Sequence, residues 1–207
     1  MLAAPGPRGD HRRARIGLLG GSFNPAHAGH RHVAEQALRA LGLDQVWLLV
    51  SPGNPLKPAR GMAPFVQRLA SARRVADGVR VIATDLEARL GTRYTVDTLA
   101  LLRERFPRVR FVLLMGADNL TQLPRWKHWR RLARETPIAV LPRPGETRRA
   151  LHGTAARALA RHRRSPRALL QGKAPAGCRA HAPWCLVPAR EHPASATAIR
   201  AAGGMPV

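Results

Sequence analysis

The chain has 207 residues, 45% of them hydrophobic, enough for one α/β domain with its own core and too few for a second full domain. A formal net charge of +23, from 35 Lys and Arg against 12 Asp and Glu, points toward polyanions, but aromatics at 4% are too sparse for single-stranded nucleic-acid stacking platforms. Lys57, Lys127 and Lys173 are the lysines, and with so much Ala, Pro and Gly the arginine excess reads as a compositional habit, so no dedicated nucleic-acid partner is expected.

Residues 1–14, "MLAAPGPRGDHRRA", lack the apolar stretch of a signal peptide and read as a disordered basic leader. Apolar runs such as 46–50 are far too short to cross a bilayer, and the expected compartment is the cytoplasm. From residue 15 the elements alternate. A buried strand at 15–19 ends in Gly20-Gly21, and a helix follows at 30–41, with Val33, Ala34, Ala37, Leu38 and Leu41 at helical spacing and Gly42 as its stop. A strand at 45–51 leads into the Pro- and Gly-dense loop "SPGNPLKPARG"; a helix at 65–75 carries Arg68, Arg73 and Arg74 on its polar side. Then come a strand at 79–83, a helix at 96–106, a strand at 110–115, a helical stretch at 119–132 broken around Pro124, and a strand at 137–141.

Beyond residue 143 the chain turns basic. Leu151, Ala155, Ala158 and Leu159 fit one helix with a solvated basic face; 171–182 reads as irregular, 184–187 as a short last strand, and 195–201 as a terminal helix. Short, continuously apolar strands alternating with helices indicate a doubly wound, mainly parallel sheet in a single domain spanning 15–203, with ligands at the carboxyl ends of its strands. Cys178 and Cys185, with His181 between them, do not match a zinc pattern and are expected as free thiols.

The first carboxyl end is "GGSFNPAHAGH", residues 20–30. Gly20 and Gly21 permit close backbone approach, and the helix start behind them favours an anion. His27 and His30 lie three apart and could donate to a phosphate. A plain strand-to-helix turn and a metal site stay open, although no acidic third ligand lies nearby. A second cluster, "SATAIR" at 195–200, sets Ser195, Thr197 and Arg200 at another helix start; it is either a second anion site or an ordinary capped helix.

Taken together the two clusters resemble the bacterial nicotinate-nucleotide adenylyltransferases, within the nucleotidyltransferase superfamily that carries an H-x-G-H signature. Three stretches between them resemble the same family: "SPGNPLKP" (51–58), "RYTVDTL" (93–99) and "GADNLTQLPRWKHW" (116–129). The resemblance implies a Rossmann-like nucleotidyltransferase fold and transfer of the adenylyl group of ATP to nicotinate mononucleotide, with Mg²⁺ accompanying the ATP and no metal ligands from the chain. It implies catalytic roles for His27, His30, Lys57 and Arg200. ATP contacts would come from Gly20, Gly21, Ser22, Phe23, Gly116, Asp118, Asn119, Ser195 and Thr197, and the nicotinate mononucleotide pocket from Thr95, Trp126 and Lys127. A homo-oligomer is an open expectation, and the small molecules are the expected partners, with no membrane. The motif departs from the family at Ala196, where a second serine is usual, and at Lys127, where some members carry an aromatic residue.

Overall fold

The computed structural model describes residues 4–53, 61–171, 181–194 and 196–201. In chain order the elements are β1 (Ala14–Gly21), α1 (Ala28–Leu41), β2 (Gln45–Val50), α2 (Phe65–Val75), β3 (Val81–Thr84), α3 (Leu86–Arg89), α4 (Thr95–Arg105) and β4 (Val109–Gly116). They continue with α5 (Ala117–Gln122), a 3₁₀ turn at Leu123–Arg125, α6 (Trp129–Glu135), β5 (Ile138–Leu141), α7 (Thr147–Leu151), α8 (Thr154–Ala158), β6 (Trp184–Leu186) and α9 (Ala196–Ala201).

The strands form one six-stranded sheet in the order β3-β2-β1-β4-β5-β6, every pair parallel. This is the doubly wound arrangement read from the sequence. Strand order reverses between β1 and β4, so a crevice opens outside their carboxyl ends, where Gly20-Gly21 and Gly116 lie. Helices cover both faces. One core holds Ile16, Leu18, Trp47, Phe106 and Phe111, with the Trp47 ring edge-on to Phe106 and Phe111 at 5.3 and 5.7 Å; the other holds Leu19, Phe23, Leu38, Leu48, Val112 and Leu114. Among the described residues no helix is long and apolar enough to cross a membrane.

Several boundaries moved for local reasons. The third strand starts at Val81 rather than 79, because Asp77 Oδ1 accepts the N–H groups of Val79, Arg80 and Val81 at 2.8, 2.8 and 2.9 Å and holds that stretch in a turn. The expected break near Pro124 is present as the 3₁₀ turn between α5 and α6. The single helix expected after residue 143 is two, α7 and α8, separated at Gly153, whose N–H donates to the Ala150 carbonyl at 3.1 Å. Nor is this segment only a basic surface: Ala150, Ala155, Ala156 and Leu159 are buried in the core, and Leu159 offers its carbonyl to Trp184 Nε1 at 2.8 Å.

Residues 4–13, read as part of a disordered leader, lie against the domain. The Asp10 N–H donates to the Arg105 carbonyl at 3.1 Å; Arg12 Nε bonds Asp10 at 2.7 Å while its guanidinium sits 5.9 and 5.8 Å from the Trp47 and Phe106 rings. Cys185 is buried and free, its thiol pushed up to about 12 by burial, consistent with an inert structural side chain. Cys178 lies outside the described residues.

Candidate functional site

The loop after β1 is bound down by α2. Arg68, placed by sequence on that helix's polar side, is instead buried with 2% exposure. Its guanidinium donates to the carbonyls of Ala63, Ser22, Ser51 and Pro52 at 2.9, 2.8, 2.7 and 3.2 Å. The loops after β1 and β2 are therefore clamped to one planar fork. Ser71, one turn on, accepts the Ala26 N–H at 3.0 Å. A signal existed in the sequence: Arg68 precedes Ala72 by four, so it occupies the face that Leu69 and Ala72 bury.

Within the loop, Phe23 takes a left-handed backbone conformation with φ of 48° and is 2% exposed. Its ring lies against Gly21, where a Cβ would stand 3.2 Å from a ring carbon and the ring would have to give way by a few tenths of an ångström; Gly20 faces open space. The helix begins two residues before the expected position, and His27 is its N-cap. His27 Nδ1 accepts the Gly29 N–H at 3.1 Å, and His30 Nδ1 accepts the His27 N–H at 3.2 Å. Both acceptor nitrogens being Nδ1, each ring must carry a proton on Nε2 and is a donor there. The rings lie 4.0 Å apart, centroid to centroid, and Phe23 packs 4.9 Å from His30. Burial, then the charges of Arg143 and His192, lowers the His27 pKa to about 4, so this imidazole is neutral at pH 7.

The distant carboxy-terminal cluster reaches this loop. Arg200 donates through one nitrogen to the Asn24 carbonyl and through the other to Thr197 Oγ1 at 3.3 Å. Just before α9, the Ala194 carbonyl stands 3.2 Å from where a Gly29 Cβ would lie, and His32 Nε2 meets the Arg190 carbonyl at 2.8 Å. His27, His30, Thr197 and Arg200 are thereby drawn to one end of the sheet. Lys57 and Ser195 lie outside the described residues.

Across the switch point, Gly116 ends β4 and Asp118 and Asn119 lie in the first turn of α5. A Cβ on Gly116 would come within 2.4 Å of Asp118 Oδ1 and 3.0 Å of Arg143 Nε, so a larger residue there would displace the Asp118 carboxylate. Asp118 and Arg143 face each other at 3.5 Å, and Asp118 Oδ1, Arg143 Nε and Ser22 Oγ are buried without a hydrogen-bond partner. Sequence reasoning missed Arg143; the available signal was an arginine two residues past the carboxyl end of β5.

Thr95 opens α4, and Trp126 follows the 3₁₀ turn, half-buried against the core. Lys127 joins the two: its Nζ bonds Asp97 at 3.2 Å and lies 4.3 Å from the centre of the Tyr94 ring. Thr95, Trp126 and Lys127 thus border one region. The charge on Lys127 is already paired.

Residues 18–202 match the model of the family described as cytidylyltransferase-like. The chain is 61% identical over 192 residues to a protein of Gluconobacter oxydans named a probable nicotinate-nucleotide adenylyltransferase, covering 91% of this chain and 95% of that one. It is 58% identical over 193 residues to a protein of the same name from Gluconacetobacter diazotrophicus, covering 93% and 88%. Among solved structures, the Plasmodium falciparum nicotinic acid mononucleotide adenylyltransferase complexed with NaAD superposes with a TM-score of 0.63 over 90% of this chain and 82% of its own, at 16% identity, a likeness of fold.

Proposed function

The chain belongs to the cytidylyltransferase-like family and, within it, to the nicotinate-nucleotide adenylyltransferases, and from that membership we propose how its own residues carry the reaction. Nicotinate mononucleotide and ATP give nicotinate adenine dinucleotide and pyrophosphate, a step of NAD biosynthesis. A phosphate oxygen of the mononucleotide attacks the α-phosphorus of ATP; the new O–P bond forms as the bond to the β-phosphate oxygen breaks, and pyrophosphate leaves. Because a phosphate monoester is already largely ionised at neutral pH, with its second pKa near ~6, no general base is needed. The enzyme's work is positioning and charge stabilisation.

The observation that carries this reading is the hydrogen bond from Arg200 to the Asn24 carbonyl, which joins two motifs 176 positions apart at one strand end. In this scheme His27 and His30 donate from Nε2 to phosphate oxygens, and their fixed Nδ1 acceptor roles keep that donor in place throughout. Thr197 and Arg200 hold the β- and γ-phosphates, joined by Ser195 and Lys57. Gly20, Gly21, Ser22 and Phe23 line the nucleotide, with the exposed Gly20 admitting it closely. Gly116 and Asn119 border the adenosine, and Asp118 accepts a ribose hydroxyl through Oδ1, the oxygen that faces Arg143 but makes no hydrogen bond. Thr95 and Trp126 frame the pyridine, and Lys127 adds positive charge near its carboxylate.

Magnesium enters as the ATP complex, its ligands being phosphate oxygens and water. Among the described residues no group of three or more His, Cys, Asp or Glu is gathered to hold a metal. The reading takes the cytoplasm as the enzyme's compartment. The test is pyrophosphate release measured with nicotinate mononucleotide and with nicotinamide mononucleotide in parallel. The expected result is a higher kcat/KM for the acid; release with neither mononucleotide overturns the reading.

A further inference from the structure

Two threonine hydroxyl groups close the loop between α3 and α4. Thr98 lies on the inward face of α4 with Leu99 and Leu102, at 1% exposure. Valine would fill the same space with no polar atom to satisfy, so what the threonine adds there is its hydrogen bonding. Thr98 Oγ1 donates to the Tyr94 carbonyl at 3.2 Å and stands 2.8 Å from Thr92 Oγ1. A hydroxyl has one proton, and with that of Thr98 on Tyr94 the donor between the two threonines is Thr92. The backbone N–H of Thr92 donates in turn to the Glu87 carbonyl at 3.2 Å. The chain of bonds therefore runs from α3 across the loop to the first turn of α4.

What it holds is the corner at Tyr94-Thr95. Tyr94 is the N-cap of α4, and its carbonyl collects the N–H groups of Asp97 and Thr98 at 3.0 Å each, besides the Thr98 hydroxyl. Its ring, half-buried against the core, lies 4.3 Å from the Lys127 ammonium, which Asp97 also binds at 3.2 Å. Thr95 leaves the same corner as the first residue of the helix. Thr95 directly, and Trp126-Lys127 through Tyr94, thus meet on backbone that Thr98 ties down.

We propose that Thr98 is a positioning residue for the pyridine end of the site: its hydroxyl, with that of Thr92, fixes the Tyr94-Thr95 corner against which the nicotinate ring is seated. This rests on the function proposed above and assigns part of the affinity for the mononucleotide to an internal residue that acts through the corner, not by contact. The phosphate side is anchored separately, through Arg68 and Arg200. Loosening the corner therefore weakens the binding of one substrate and leaves the transfer step alone.

The experiment is steady-state pyrophosphate release with each substrate varied in turn, on the unmodified full chain and on Thr98→Val, Thr98→Ser and Thr92→Val. Thr98→Val is expected to raise KM for nicotinate mononucleotide by about threefold to tenfold, the size of one or two lost hydrogen bonds, with kcat and KM for ATP held within about twofold. Thr98→Ser keeps the hydroxyl and should return that KM to within about twofold of the unmodified value. Thr92→Val removes the donor to Thr98 but leaves the bond to Tyr94, and should raise the same KM by about twofold to threefold. It also keeps the test readable if Thr98→Val does not fold. An unchanged KM for the mononucleotide in folded Thr98→Val, or in Thr92→Val where the former does not fold, overturns the proposal. So does failure of Thr98→Ser to restore it. A joint change in kcat and both KM values also overturns it, because that marks a role in overall stability alone. Absence of pyrophosphate release from the unmodified chain is a separate outcome, which overturns the proposed function and this inference with it.

Discussion

The two sides of the crevice that the proposed function assigns to the phosphates and to the pyridine are built differently. On the phosphate side, Phe23 and His27 are buried at 2% and 7% exposure, and Arg68 anchors four carbonyls beneath them. On the pyridine side, Trp126 is half-buried and Lys127 is exposed, its contact to Asp97 being an ordinary surface ion pair. Charge stabilisation needs donors fixed to a fraction of an ångström, whereas shape recognition of a ring tolerates more adjustment. On the proposed function, the rigid half carries chemistry and the looser half carries choice of substrate.

The sharpest way to break that contrast is His27→Asn. Asparagine caps a helix well, so it keeps the N-cap role and removes the Nε2 donor. Turnover is expected to fall by about 10²–10³ with the melting temperature little changed, the size typical of a lost transition-state donor. Near-normal turnover in a folded variant removes His27 from the chemistry. Arg68→Met comes next and acts through the scaffold. It leaves the part-buried carbonyls of Ala63, Ser22 and Ser51 without their donor, and a loss of about 1–3 kcal/mol in unfolding free energy is expected by denaturant titration, with a raised KM for ATP. A stability within error of the unmodified chain means that the clamp is dispensable.

A third measurement uses pH. The folded-state pKa of His27 is lowered to about 4 from the ordinary 6.5, first by burial and then by Arg143 and His192. Between these values the unfolded chain binds the proton and the folded chain does not. Stability is therefore complete above about pH 6.5 and declines as pH falls toward 4, by of order 2 kcal/mol from this residue. The same decline is expected to shrink in His27→Asn; an identical pH profile in both proteins shows that His27 does not carry it.

Much of this was legible because two periodicities are strong. Continuous apolar strands separated by helical spacing define the sheet, and Gly20-Gly21 marks where its first strand must turn. The alternatives left open at "GGSFNPAHAGH" could not be resolved locally, since the answer depends on Arg200 folding back from the far end. Three other features were hidden for physical reasons. α3 is four residues long, too short for a periodic signal. Arg68 reads as a solvated charge unless the carbonyls it satisfies are in view. His27 as an N-cap breaks the usual preference for Ser, Thr, Asp or Asn, so the helix reads as starting later.

The smallest expected effect lies on the pyridine side and probes Lys127. Its ammonium pairs with Asp97 at 3.2 Å and rests on the Tyr94 ring, with the lysine and aspartate side chains 40% and 42% exposed. Water screens a pair of that kind, and exposed ion pairs contribute about 0–1 kcal/mol. A charge so placed still adds a weak, long-range attraction for a nicotinate carboxylate. Lys127→Met is accordingly expected to raise KM for nicotinate mononucleotide by about twofold to threefold at low salt, to leave kcat unchanged, and to lose even that effect at high salt. A large fall in kcat instead places Lys127 on the reacting phosphates, and the pyridine side is then as rigidly engaged in the chemistry as the phosphate side.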